Sequence, residues 1–306
     1  MSRIAFVFPG QGAQYTGMAK DFYEKFPVSR EVFEKASKVS GLNVETLCFE
    51  ENEILNITEY TQIAMLAAEI AILRAVEKSG ITSQVNAGLS LGEYGALVAS
   101  KVMTEEDAFA IVRKRGILMQ EAYPTGGAMS AVLGTDAELI EKICEETEGI
   151  VSIANYNCPG QIVITGLSEA VSEASEKLKA AGGRRVITLN VSGPFHSAML
   201  ATAGKELGKV LDDITLHELQ IPYVTNVTAE YVEHSSETKA LLEKQISSSV
   251  RWQQSVENMI RQGVDTFVEI GPGRTLAGFM RKIDRNVKVY NIQTVEDAEK
   301  VCQELV

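Results

Sequence analysis

The sequence predicts an α/β protein whose mainly parallel sheet is interrupted by a small second sheet unit. Three observations carry this. An apolar, β-rich run over 3–8 ends in the loop Pro9-Gly10-Gln11-Gly12-Ala13-Gln14. The stretch 85–94 holds a G-x-S-x-G turn, Gly88-Leu89-Ser90-Leu91-Gly92, between a strand-like approach and a helical run over 91–100. That order suits a strand-turn-helix elbow, and helix, strand, elbow and helix in succession point to a parallel sheet. Beyond the breaker cluster Tyr123-Pro124-Thr125-Gly126-Gly127 the pattern changes to β-α-β-β-α-β, the split unit of a ferredoxin-like sheet.

The bulk numbers agree with a soluble globular chain. At 306 residues, 45% apolar and 23% charged, it can bury a large core. Lysines and arginines number 29 against 41 aspartates and glutamates, a net charge of −12, which disfavours nonspecific affinity for nucleic acid or anionic membrane. Cys48, Cys144, Cys158 and Cys302 lie far apart without C-x-x-C spacing, so reduced thiols in a cytoplasmic protein are expected rather than disulfides or zinc. The apolar run 4–8 is too short for a signal peptide, and 63–75 is broken by Glu69 and Arg74. No targeting or membrane segment is expected.

In chain order, the loop after the first strand can bring backbone amides to a ligand. It is not a dinucleotide fingerprint, because the third glycine would fall at 15, where Tyr15 stands. Helices are expected over 18–26, 32–39 and 60–76. At the elbow, Gly88 and Gly92 have no Cβ to clash where strand and helix cross, and Ser90 is held in a strained turn that projects its hydroxyl at the sheet mouth. The first free amides of the following helix, that of Leu91 among them, can face an oxyanion formed there.

Thr104, followed by Glu105, Glu106 and Asp107, marks the start of a helix reaching about 122. Its apolar face reads Ala108, Ile111, Val112, Met119 and Ala122, and at 100° per residue Arg115 falls in the middle of that face. Such an arginine either snorkels or pairs with a structural carboxylate, or its planar fork serves a ligand carboxylate.

The inserted unit is expected over 125–190, with strands at 128–133, 150–156, 161–165 and 184–189 and helices at 136–147 and 168–181. It divides the body into 1–124 and 191–306. Inserted units commonly wall a cleft, so the site is expected between the two. The chain re-enters the body at Val191-Ser192-Gly193-Pro194-Phe195-His196-Ser197, before a helix over 198–211. Serine needs a base to act as a nucleophile near neutral pH, and His196, at a strand-to-helix junction, is best placed of the three histidines. Spacing picks out no third member. A strand at 221–226, a helix at 238–248, a buried strand at 266–270 ending in Gly271-Pro272-Gly273, a helix at 275–283 and a strand at 287–292 complete the body.

Taken together, Phe8-Pro9-Gly10-Gln11-Gly12-Ala13-Gln14, Tyr60-Thr61-Gln62, Gly88-Leu89-Ser90-Leu91-Gly92-Glu93-Tyr94, the Arg115 helix, Gly193-Pro194-Phe195-His196-Ser197 and Glu269-Ile270-Gly271-Pro272-Gly273 resemble the malonyl-CoA:acyl carrier protein transacylase family. The matches run in order from residue 3 to about 290. The resemblance implies an α/β-hydrolase-like body with an inserted ferredoxin-like subdomain. It also implies ping-pong malonyl transfer from coenzyme A to the carrier's phosphopantetheine thiol, in fatty acid synthesis, with no cofactor or metal.

By the same resemblance the nucleophile falls on Ser90 and the general base on His196. The oxyanion amides fall on Gln11 and Leu91, and the malonyl-carboxylate partner on Arg115. The backbone carbonyl that orients the histidine falls on Gln245, while Gln62 and Asn157 resemble pocket residues. Phe195 resembles the malonyl-accepting variant, since methylmalonyl enzymes of the family usually carry serine there. Leu89 departs from the family: many members have histidine before the nucleophile, and leucine makes the pocket more apolar.

The family's carrier protein is acidic, as this chain is, so docking calls for a local basic patch. Arg184 with Arg185, and Arg281, Lys282, Arg285 and Lys288, are the candidate clusters. A monomer is expected. The competing readings are a serine thioesterase or esterase with water as acceptor, a non-catalytic acyl-CoA-binding protein, and a free-standing acyltransferase of a polyketide pathway.

Overall fold

The computed structural model of the chain describes residues 2–183, 185–191 and 193–306. The first half of the body runs β1 (Ile4–Phe8), α1 (Lys20–Lys25), α2 (Pro27–Ser40), α3 (Val44–Phe49), α4 (Thr58–Lys78), β2 (Val85–Gly88), α5 (Gly92–Ala99) and α6 (Glu105–Ala122). The small unit follows as β3 (Gly127–Leu133), α7 (Ala137–Glu145), β4 (Val151–Cys158), β5 (Gln161–Leu167), α8 (Ser168–Ala180) and β6 (Arg185–Thr188). The chain returns through α9 (Ala201–Asp212), β7 (Tyr223–Val224), β8 (Tyr231–Val232), α10 (Thr238–Gln245), α11 (Trp252–Arg261), β9 (Thr266–Ile270), α12 (Thr275–Ile283), β10 (Lys288–Ile292) and α13 (Val295–Leu305).

The body sheet has the order β10-β9-β1-β2-β7-β8. Its pairs are parallel up to β7, and β8 adds an antiparallel edge. A parallel sheet is covered on both faces, so its inner strands carry continuous apolar runs rather than alternation. Ala5, Phe6, Val7 and Phe8 are accordingly all buried. One face meets α4, whose residues from Ile63 to Leu73 are buried on every side. The other meets α11 and α12 through Trp252, Val256, Met259, Leu276 and Met280.

The second sheet is antiparallel, in the order β4-β5-β3-β6. Ile140, Ile143, Val171 and Leu178 of α7 and α8 form its core with Ile153 and Ile164. It is tied to the body along β4, where Tyr156 donates its N–H to the Val250 carbonyl at 2.9 Å and Val250 donates to Ala154 at 2.8 Å.

Several expectations need adjusting. The helix expected from 32 begins at Pro27, since proline at the first helical position loses no hydrogen bond. The strand expected over 221–226 shrinks to Tyr223–Val224, because Asn226 turns inward to serve the elbow. α3, α11 and α13 were not foreseen.

Candidate active site

The elbow is built as its glycines require. A Cβ on Gly88 would stand 1.9 Å from the Gly92 carbonyl carbon, and one on Gly92 would stand 2.2 Å from the Phe8 oxygen. Helix α5 can therefore cross β1 and β2 only with both side chains absent. Ser90 sits at φ +55°, a left-handed conformation that costs an ordinary residue about 1–2 kcal/mol. Asn226 holds it there: its Oδ1 accepts the Ser90 N–H at 2.6 Å, and its Nδ2 donates to the Gly88 carbonyl at 2.6 Å. Gln11 and Leu91 line the same cleft, and their backbone N–H groups have no protein acceptor among the described residues.

His196, also at positive φ (+59°), places Nε2 2.8 Å from Ser90 Oγ. Its Nδ1 lies 2.9 Å from the backbone carbonyl of Gln245. A carbonyl oxygen only accepts, so Nδ1 carries the hydrogen and Nε2 presents its lone pair to the serine hydroxyl. Burial, reinforced by the nearby Arg115 charge, pulls the imidazole pKa down to about 4, so the ring is neutral at ordinary pH.

Arg115, 1% exposed, points into the same space from α6. Its Nη1 donates to Gln62 Oε1 at 2.7 Å, and its Nη2 donates to Ser90 Oγ and to Gln245 Oε1, each at 3.0 Å. The Tyr94 ring lies beneath the guanidinium, 5.6 Å from centroid to Cζ. Among the described residues no carboxylate pairs with this charge, and Nε has no partner. Of the two sequence readings, pairing with a structural carboxylate is thus set aside.

These groups open on a cleft of about 400 Å³ between the body and the small sheet. The body contributes Gln11, Gln62, Leu89, Ser90, Leu91, Arg115, Phe195 and His196, while Met129, Asn157 and Val163 form the opposite wall. Every residue that the sequence assigns to the acyl site therefore borders the cleft except Gln245, which lies beneath it and reaches His196, Arg115 and Ser90. Asn157 lines the wall without touching the serine-histidine pair. Sequence reasoning missed Asn226, which read as the end of a strand, Asn155, a second polar residue of the wall, and the contacts of Glu93. Arg185, Arg281, Lys282, Arg285 and Lys288 are exposed, and Lys282 reaches Gln161 at the cleft at 3.1 Å. Arg184 lies outside the described residues.

The chain matches the family described as acyl transferase domain over residues 5–300. It is 42% identical over 310 residues to the malonyl CoA-acyl carrier protein transacylase of Bacillus subtilis (strain 168), covering 100% of this chain and 98% of that one. Its fold is similar to the crystal structure of malonyl CoA-acyl carrier protein transacylase from Clostridium perfringens, with a TM-score of 0.96 at 44% identity over 99% of this chain and 97% of that one. It is equally similar, with a TM-score of 0.96 at 39% identity over 99% and 100%, to a malonyl-transacylase solved with a type II polyketide acyl-carrier protein. With its fold, its elbow serine and its full-length likeness all in accord, the chain belongs to the acyl transferase domain family and, within it, to the malonyl CoA-acyl carrier protein transacylases.

Proposed function

We propose that the protein moves a malonyl group from coenzyme A to the phosphopantetheine thiol of acyl carrier protein through a malonyl ester on Ser90, supplying fatty acid synthesis. The observation that carries this is the meeting, in one cleft, of a serine hydroxyl, a neutral imidazole 2.8 Å away and a buried guanidinium 3.0 Å away. His196 Nε2 takes the Ser90 proton as Oγ attacks the thioester carbonyl. The Gln11 and Leu91 amides receive the oxyanion. As the tetrahedral intermediate collapses, the C–S bond breaks and the imidazolium returns its proton to the leaving thiolate. The carrier thiol then repeats the sequence in reverse, with His196 taking the thiol proton and returning it to Ser90.

Arg115 binds the malonyl carboxylate, as an inward charge with no carboxylate partner of its own is suited to do. Gln62 steadies it, and Leu89, Phe195 and Asn157 shape the acyl pocket. The apolar lining, with Met119, Met129 and Val163, disfavours water near the ester. A backbone carbonyl behind the imidazole, in place of a carboxylate, makes His196 a weaker activator of water than a hydrolase needs.

The unit 125–190 acts as a subdomain that closes the cleft. The protein works as a cytoplasmic monomer with no cofactor; none of its described helices is long and apolar enough to cross a membrane. Arg281, Lys282, Arg285 and Lys288 dock the acidic carrier. Service to a polyketide carrier is a second reading, favoured by the likeness to the transacylase solved with such a carrier.

The test is discharge of the malonyl-loaded protein. Carrier protein should remove the group far faster than buffer does, and charge reversal at Arg281 and Lys282 should slow discharge to carrier more than loading from malonyl-CoA. Rapid loss to water alone would favour the thioesterase reading, and an unchanged carrier rate would remove that cluster from the docking surface.

A further inference from the structure

Glu93 lies in the first turn of α5, just beyond the nucleophile, and is fully buried. Its Oε2 accepts from Gln245 Nε2 at 2.6 Å and from the Asn226 backbone N–H at 3.1 Å. Gln245 Nε2 also donates to the Ser90 carbonyl at 3.0 Å, while Gln245 Oε1 accepts from Arg115 Nη2 at 3.0 Å. These contacts admit one orientation of the Gln245 amide. Its nitrogen end faces the Ser90 carbonyl, which only accepts, and its oxygen end faces a guanidinium, which only donates. Flipping the amide would set N–H against N–H at Arg115 and oxygen against oxygen at the Ser90 carbonyl.

Among the described residues the guanidinium is thereby steadied by neutral oxygens, from Gln62, Gln245 and Ser90. The carboxylate that balances it stands one amide away rather than in contact. A carboxylate in direct contact would compete with any carboxylate brought by a substrate. Desolvation raises the Glu93 pKa to about 7, opposed by the hydrogen bonds it receives.

We propose that Glu93 is a positioning residue for acyl selection: by fixing the Gln245 amide it holds Arg115 aimed at the cleft with no carboxylate in contact. This rests on the reading of Arg115 as the partner of the malonyl carboxylate. It concerns which acyl group is loaded rather than the chemistry of Ser90 and His196.

The discriminating readout is the ratio of initial rates of Ser90 acylation by malonyl-CoA and acetyl-CoA, followed by intact mass. General damage lowers both rates together and leaves the ratio alone, whereas a misplaced Arg115 lowers the malonyl rate selectively. Glu93→Leu removes the acceptor and should lower the ratio by about tenfold, the scale of losing a hydrogen bond to a charged group. Glu93→Gln keeps an oxygen that can accept from Gln245 and should stay within about threefold of the parent.

Gln245→Leu cuts the same link while leaving the Glu93 side chain in place and should reproduce the loss, so the prediction stands even where Glu93→Leu does not fold. In the Gln245→Leu background, adding Glu93→Leu should change the ratio little further, because both act through one contact. An unchanged ratio in Gln245→Leu, equal losses in Glu93→Gln and Glu93→Leu, or additive effects in the double variant would each overturn the proposal. If Arg115→Ala leaves the ratio unchanged, the reading of Arg115 falls and this proposal with it. A large Arg115→Ala effect beside a silent Gln245→Leu overturns the proposal alone.

Discussion

Arg115 rests its guanidinium against the hydroxyl of Ser90, Nη2 to Oγ 3.0 Å, although the two come from different elements, α6 and the elbow. The proposed acyl-selecting charge and the proposed nucleophile thus share one hydrogen bond. That contact leaves the serine proton for His196 Nε2, 2.8 Å away on the imidazole side.

Removing the guanidinium should therefore harm malonyl loading in particular. Arg115→Ala is expected to lower acylation from malonyl-CoA by about a hundredfold or more, because the charge-assisted contact proposed for the malonyl carboxylate would be lost, while acetyl loading falls less or rises. Rates of Ser90 acylation from the two thioesters check this, and equal losses for both would count against it.

If His196 is the base, as proposed, the buried imidazole should set the acid limb of the rate. A base must be unprotonated to accept the Ser90 proton, and the His196 pKa is lowered to about 4. The kcat/KM for loading should thus hold through the ordinary histidine range, about 6.5, and fall only as pH approaches about 4. A pH profile of the loading step decides the matter, and an acid limb centred on the ordinary histidine value would contradict it.

Glu69 presents a different pH effect, on stability. It lies on α4 with no exposed surface, and neither carboxylate oxygen has a partner among the described residues. Desolvation, and then the nearby Glu269, raises its pKa well above the usual carboxylate value. A raised folded-state pKa contributes stability that is fully present below the unfolded value and is lost as pH rises through the folded one. Glu69→Gln should therefore flatten the fall in Tm on the alkaline side, its gain over the parent growing with pH. Glu93 and Glu269, each raised to about 7, act in the same sense, while His196 acts oppositely and costs stability in acid. Parallel Tm curves for the parent and Glu69→Gln would show that Glu69 is not the source.

Much of this was legible in the sequence because it was written in short range. Gly88 and Gly92 flank Ser90 at the spacing that two crossing backbones impose, and the apolar runs of β1 and β9 mark strands buried on both faces. Arg115 was visible as a charge on an apolar stripe. Thr104 caps α6 as its sequence suggests, accepting the Asp107 N–H at 3.1 Å. What escaped depends on tertiary contact. Nothing local to Glu93 or Asn226 says that one will hold the Gln245 amide and the other the Ser90 backbone, because their partners lie more than a hundred residues away. Helix α13 is the exception, since its start carries a local signal: Thr294 and Asp297 form a capping box there.

The most direct measurement is the intact mass of the protein mixed with malonyl-CoA, alongside Ser90→Ala. The parent should gain one malonyl group, located on Ser90, and give it up to carrier-protein thiol, whereas Ser90→Ala should gain none. A parent that stays unmodified under turnover conditions, or a Ser90→Ala variant that loads as the parent does, would contradict the covalent route through Ser90.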